Sequence, residues 1–227
     1  ARFDDEATTV VPEDSVVAIV TRLDKALGGR LVIGSDGRHS LCREAADIEV
    51  RRRDLHQAAL TFNIAHSRPH RNISTEFHTP QGPCVLVPLP GDRCSVVWVT
   101  SPGEAERLMS LSDAELSNAI EKQSHSILGR TTVEPGRHRF PLAIERPVQI
   151  AKNRIALVGE SAHVVPPIGA QGLNMGLRDG ADIAQVVGEA LSLGRVATVV
   201  QATNMARTVD PRPRPGKREV PSGGFGD

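Results

Sequence analysis

What this sequence lacks most plainly is an excess of charge of either sign. Its 27 Lys+Arg are matched by 27 Asp+Glu, a formal charge of +0. No global field draws such a chain to nucleic acid or anionic lipid, so any acidic partner must be held locally. Cysteine is also sparse. Cys42, Cys84 and Cys94 are odd in number and form no C-x-x-C pair, which argues against a disulfide framework or a zinc site and fits a reducing compartment. The longest apolar runs, such as Val16 to Val20 and Ile155 to Val158, fall far below the ~18 residues that suggest a membrane span. No transmembrane segment, nucleic-acid partner or metal site is expected. The opening Ala1-Arg2-Phe3-Asp4-Asp5-Glu6 has neither a basic n-region nor an apolar h-region, and reads as a chain joined partway through. There is no internal repeat.

What is present is globular in type: 227 residues, 39% hydrophobic and 24% charged, enough for one ordinary core or two small ones. Ser15 to Thr21 and Arg30 to Gly34 are β-rich runs around Asp24-Lys25-Ala26-Leu27-Gly28-Gly29, which reads as a hairpin with its turn at the glycines. The second run ends at Ser35-Asp36-Gly37, and Ser40 opens a short helix to Ala46. Ala58 to Ala65, Ile73 to His78, Cys84 to Val87 and Ser95 to Thr100 predict an antiparallel sheet. Ser112-Asp113-Ala114-Glu115 is a capping-box signature, and Leu116, Ile120, Ile127 and Leu128 extend one helix to Gly129. Arg139 to Ile144 returns as a strand. Ile155 to Val158, flanked by Arg154 and Gly159, has the form of a strand buried on both faces. A long helix follows Gly172, carrying Leu173, Leu177, Ile183, Val187 and Leu191. From Asp210 to Asp227, proline, glycine and charge without apolar periodicity predict a disordered tail.

Two segments carry chemistry. In Ala156-Leu157-Val158-Gly159-Glu160-Ser161-Ala162-His163-Val164-Val165-Pro166-Pro167-Ile168-Gly169-Ala170-Gln171-Gly172-Leu173-Asn174, the buried strand ends with a carboxylate, Glu160, where open α/β sheets place their ligands. That carboxylate can accept a hydrogen bond from a sugar or ribityl hydroxyl. Pro166 and Pro167 stiffen the loop, while Gly169 and Gly172 leave backbone bare for a flat ligand. The unpaired N–H groups at the start of the following helix favour negative charge, such as that of a reduced flavin. Asp36-Gly37-Arg38-His39-Ser40-Leu41-Cys42-Arg43, taken alone, is equally a D-G turn before a capped helix.

Together they resemble the class A flavoprotein monooxygenases, whose patterns are D-G-x-x-S-x-x-R and G-D-x-x-H-x-x-x-P-x-x-G-Q-G-x-N. Asp36, Gly37, Ser40 and Arg43 match the first. Gly159, His163, Pro167, Gly172 and Asn174 match the second, with Glu160 in place of the usual Asp and Ala170-Gln171 in the G-Q-G turn. The Glu variant, with Arg68-Pro69-His70, Thr75-Glu76-Phe77, Gly82-Pro83, Val87-Pro88-Leu89-Pro90, Val97-Trp98 and Phe140-Pro141-Leu142 between the motifs, resembles the ubiquinone-biosynthesis hydroxylases from about Val16 to Gly194.

The resemblance implies an α/β fold: an FAD-binding domain of the p-hydroxybenzoate-hydroxylase type, partial here, with an inserted antiparallel sheet. The implied division is 1–49 and 151–206 for the flavin domain, 50–150 for the substrate-side sheet and 207–227 for the tail. It implies FAD as cofactor, NAD(P)H and O2 as co-substrates, and hydroxylation of an aromatic ring, a prenylated phenol or another aromatic small molecule. The cofactor supplies the chemistry; the protein positions it and excludes water. Asp36, Gly37 and Arg43 serve the pyrophosphate and NAD(P)H. Gly159 and Glu160 serve the ribityl chain, and Pro167, Gly169, Gln171, Gly172, Leu173 and Asn174 face the ring. No catalytic residue is assigned: His163 is expected to pack and hydrogen-bond, and Trp98 and Phe140 to lie in the core. A cytoplasmic site, or one at the periphery of the inner membrane within a ubiquinone-biosynthesis complex, follows from the same resemblance.

The family's opening βαβ unit carries G-x-G-x-x-G, which is not found here. The adenosine half of FAD therefore has no recognisable seat, and the chain is expected to be an incomplete, inactive fragment. Two other readings stand beside the ubiquinone-pathway hydroxylase: a hydroxylase of a soluble phenol, and a non-catalytic remnant that binds a partner subunit.

Overall fold

The structure, a computed structural model, describes residues 5–167 and 171–193. Gly169 and the tail from Asp210 lie outside the described residues.

The chain opens with an antiparallel meander of β1 (Ala7–Pro12), β2 (Val17–Thr21) and β3 (Ala26–Gly29). The hairpin expected between 15–21 and 30–34 is not formed. Its turn falls earlier, between Thr21 and Ala26, where Asp24 takes φ 53°, and Gly28 and Gly29 form the second arm opposite Ala18 and Val17. Aspartate tolerates the left-handed region well enough to close a tight turn without glycine. β4 (Val32–Gly34) then leaves the meander for another sheet, and the helix α1 (Leu41–Ala45) follows with Ser40 as its N-cap.

A six-stranded antiparallel sheet forms the middle of the chain, in the order β10 (His138–Pro147), β5 (Val50–His66), β8 (Arg93–Thr100), β7 (Gly82–Leu89), β6 (Thr75–Thr79), with β9 (Thr131–Val133) on the far end of β5. Because strand side chains alternate, Leu60, Phe62 and Ile64 of β5 point to one face with Val96 and Trp98 of β8. There they pack beneath α2 (Pro102–Ser110) and α3 (Asp113–Gln123), through Leu108, Leu116 and Ile120. Each such burial contributes about 1.5–3 kcal/mol, so this cluster dominates the stability of the middle region. The opposite face carries Ala59, Thr61 and Val97, small enough to leave room above them.

The capping box on α3 forms: Ser112 Oγ accepts from Glu115 N–H, and Glu115 Oε2 accepts from Ser112 N–H at 2.9 Å. The helix stops at Gln123 rather than Gly129. His125 and Ser126 both take φ 51°, so the chain leaves the helix, exposing Ile127 and burying Leu128.

β12 (Ile155–Leu157) pairs in parallel with β4, Val32 opposite Ile155 through Gly34 opposite Leu157, and antiparallel with β11 (Ala151–Lys152). It is buried on both faces. Ile155 and Leu157 pack with Cys42, Ala46, Val10 and Val17, whereas Ala156 packs with Ile183 and Ala190 of α4 (Gln171–Ser192). Of the five apolar positions expected along this helix, only Ile183 and Val187 pack; Leu173, Leu177 and Leu191 are exposed.

Candidate functional site: the junction of two loop motifs

The pairing of β4 with β12 brings the turn after each strand to the same end of one sheet. After β4, Asp36 folds back on α1. Its Oδ1 accepts from the Ser40 hydroxyl at 2.7 Å and its Oδ2 from Cys42 N–H at 2.9 Å, while Ser40 Oγ caps the helix by accepting from Arg43 N–H at 2.9 Å. Gly37 sits at φ +79°, a backbone that glycine adopts without strain. Arg43 reaches out of the helix, donating to the carbonyls of Arg38 at 2.7 Å and Ser161 at 3.1 Å. Aspartate, serine and arginine of the first motif are therefore engaged in building the turn and attaching it to the second.

The second turn begins at Gly159, φ +65°, with a 3-10 turn over Gly159–Ser161. The Ser161 hydroxyl donates to Gly34 O at 2.6 Å, tying it to the end of β4. Asp179, on α4, accepts through one oxygen from Gly159 N–H at 2.9 Å and lies 2.7 Å from His163 Nε2. Gly176 of the same helix approaches so closely that a Cβ there would lie 3.5 Å from Gly159 Cα. His163 is buried and hydrogen-bonded, as expected.

Arg38 and Glu145 form a third connection. Glu145 Oε1 accepts from Arg38 Nε at 3.1 Å and Nη2 at 2.6 Å, and from Arg52 Nη1 at 2.6 Å; its backbone bridges Val164 in both directions. One carboxylate thus joins the first motif, the middle sheet and the second motif. The Arg38 hydrogen bond foremost, with the charges of Arg38 and Arg52, outweighs burial and holds its carboxyl below the usual range. At Asp36 loss of water raises the carboxyl, but the bonds from Cys42 N–H and Ser40 together leave it lowered. Burial and then the Asp36 charge push the Cys42 thiol up to about 12.

An apolar cavity of about 280 Å³ lies between the small-residue face of the middle sheet and the second motif. Ala59, Thr61 and Val97 form its floor, Phe140 and Leu142 one side, and Val165 and Pro167 the other. Phe140 is 52% exposed and not in the core: it pairs with Ala59 across β5 and β10 and so points to the cavity face, away from the helices. Trp98 is buried under α2 and α3.

Several of the residues assigned to the ribityl chain and ring are left open to such a ligand. Glu160 is exposed and its carboxylate has no partner among the described residues. Gln171, Leu173 and Asn174 are exposed at the start of α4, and a Cβ at Gly172 would meet nothing within 4 Å, leaving an open patch of backbone at a helix N-terminus. Arg38, Glu145 and Asp179 escape a reading of the sequence motifs. Only the last leaves a signal, an acidic residue four before Ile183 on the inward face of a helix.

The comparisons with known proteins agree with this geometry. The family model described as FAD binding domain matches residues 2–205. The ubiquinone hydroxylase UbiL of Rhodospirillum rubrum is 34% identical over 165 residues, 73% of this chain and 38% of that protein. The 3-demethoxyubiquinol 3-hydroxylase of Escherichia coli is 31% identical over 170 residues, 75% of this chain and 43% of that protein. The chain thus spans about two-fifths of the length of these relatives. Among solved structures, PqsL, a probable FAD-dependent monooxygenase from Pseudomonas aeruginosa, aligns over 90% of this chain and 59% of its own with a TM-score of 0.76 at 21% identity, a likeness of fold. The chain belongs to the FAD binding domain family, in the p-hydroxybenzoate-hydroxylase type of fold.

Proposed function

We propose that this chain carries the ring-facing part of an FAD-dependent monooxygenase that hydroxylates a prenylated phenol in ubiquinone biosynthesis, with NAD(P)H and O2 as co-substrates. The single observation that carries this reading is the apolar cavity opening beside the joined motifs. A flat cofactor held by Gly172 and the start of α4 would have, beside the second motif, an apolar space suited to an aromatic ring, just below the roughly 300–1,000 Å³ common for ligand pockets. Bound flavin supplies the redox chemistry, taking electrons from NAD(P)H and passing oxygen from O2 to an electron-rich ring.

The chain's own residues orient and exclude. Glu160 accepts from ribityl hydroxyls, and the N–H groups at the start of α4 stabilise negative charge on the ring edge. Phe140, Leu142, Val97 and Pro167 keep water from the phenol and fix its plane by packing. The junction supports reading 1–49 and 151–206 as the flavin domain and 50–150 as the substrate-side sheet. Among the described residues no helix is long and apolar enough to cross a membrane, and a prenyl tail favours action at a membrane's periphery.

The test is spectroscopic. With flavin added to the purified chain, a prenylated phenol should perturb the visible absorbance, and Phe140→Arg should remove that response while leaving the flavin response intact. Perturbation by a soluble phenolic acid and not by the prenylated compound favours a hydroxylase of soluble phenols. No perturbation by either contradicts the assignment of the cavity.

A further inference from the structure

The paired ends of β5 and β10 form a second concave surface, which begins along β10 where the lining of the apolar cavity ends. It is a groove of about 560 Å³ lined by Arg51, Arg52, Arg53, Ile144, Arg146, Pro147 and Val148. In the register of this pair Arg51 stands opposite Arg146, Arg52 opposite Glu145, and Arg53 opposite Ile144. Residues directly opposite on antiparallel strands share a face, and alternate residues along a strand do too. The two faces therefore differ in kind. Arg52, Asp54 and Glu145 belong to one, where every charge is matched: Arg52 is held by Asp54 at 2.8 Å and by Glu145 at 2.6 Å. Arg51, Arg53 and Arg146 belong to the other, all exposed, and make no ion pair among the described residues.

Like charges directly opposite each other destabilise a sheet, so the Arg51–Arg146 pair is a local cost that no ion pair among the described residues offsets. In a chain whose formal charge is +0, three unmatched guanidinium groups are a concentration of charge rather than the tail of a general excess. Guanidinium is also the side chain whose planar fork matches phosphate oxygens two at a time.

We propose that Arg51, Arg53 and Arg146 form a phosphate-binding site, with Ile144 and Val148 giving an apolar bed for the group that bears the phosphate. The chemistry is shared by two sources, a soluble phosphorylated small molecule and the headgroup of an anionic lipid. The site lies outside both loop motifs and does not rest on the flavin assignment.

The experiment uses the full chain without flavin. Pyrophosphate, NADPH and phosphatidylglycerol vesicles are titrated separately against the wild type, Arg146→Gln and the double variant Arg51→Gln/Arg53→Gln. Because the substitutions relieve repulsion on an exposed face, both variants should melt at or above the wild-type temperature in the absence of probe. A soluble phosphate that raises the wild-type melting temperature, binds about tenfold or more weakly to each variant and weakens with added salt establishes the site with a soluble ligand. Vesicle binding with the same dependence on the arginines, and no response to pyrophosphate or NADPH, establishes it as a lipid-headgroup site. If no probe binds, or if the variants bind as tightly as the wild type, the proposal is wrong.

Discussion

Glu145 accepts hydrogen bonds from two arginines on different segments while its backbone bridges a third, so its removal takes the carboxylate from Arg38 and leaves Arg52 with Asp54 alone. Hydrogen bonds to charged groups contribute about 1.5–3 kcal/mol each, less where the partner is exposed as Arg52 is, so Glu145→Ala should cost about 1–2 kcal/mol in a denaturant titration. The same residue sets a pH response. Glu145 and Asp36 are depressed in the fold from ordinary values of 4.5 and 3.8, so they contribute stability above those values and lose it as the pH falls through the lower folded ones. The melting temperature should hold steady down to about pH 5 and fall below that, and Glu145→Gln should flatten part of the fall. The cysteines answer to burial instead. Burial leads the rise at each thiol, to about 12 for Cys42 and Cys84 and upward for Cys94, so all three should resist alkylation in the native chain and react on unfolding.

The helix α4 is attached at its third turn by Asp179, which serves Gly159 N–H and His163 together. Asp179→Ala should lower the melting temperature by several degrees and weaken flavin binding, and Asp179→Asn should recover part of both, because an amide oxygen still accepts from Gly159. Such tertiary ties explain what could be read from the chain and what could not. The buried β12, the Ser40 and Ser112 caps and the alternating strands of the middle sheet write themselves locally, as a continuous apolar run, as side-chain oxygens before a helix and as a period of two. Local signs failed where the partner decided the outcome. Gly28 and Gly29 resemble a turn, yet pairing with β2 extends them. α2 carries a cue that apolar periodicity alone passes over: Ser101 as N-cap before Pro102, its only buried positions being Ala105 and Leu108. Phe140 has the composition of a core residue, and only its register opposite Ala59 turns it to the cavity. Of the candidate site, Glu160 and Gly172 are left unengaged by the fold, as the proposed ligand-facing role requires, whereas Gly37 and Gly159 are spent on their turns. Asp36 and Arg43 prove to be builders of the turn, a role a motif cannot distinguish from ligand contact.

Across the whole molecule, β4–β12 pairing and the Arg38–Glu145 and Arg43–Ser161 contacts join the two loop motifs, and the central claim is that they make a single flavin-facing surface. Titrating FAD into the purified chain and following its visible absorbance tests that claim most directly, with Gly172→Val and Glu160→Asp measured beside the wild type. A valine places branched carbons on the bare backbone at the start of α4, whereas aspartate keeps the carboxylate one methylene shorter. The sequence offers no G-x-G-x-x-G for the adenosine end, so affinity should be weak, on the order of 0.1–1 mM, or about 4–5.5 kcal/mol. A flavin-facing surface gives a saturable shift in the wild type, largely kept in Glu160→Asp and lost in Gly172→Val. No saturable shift in the wild type, or an equal loss in both variants, would contradict it.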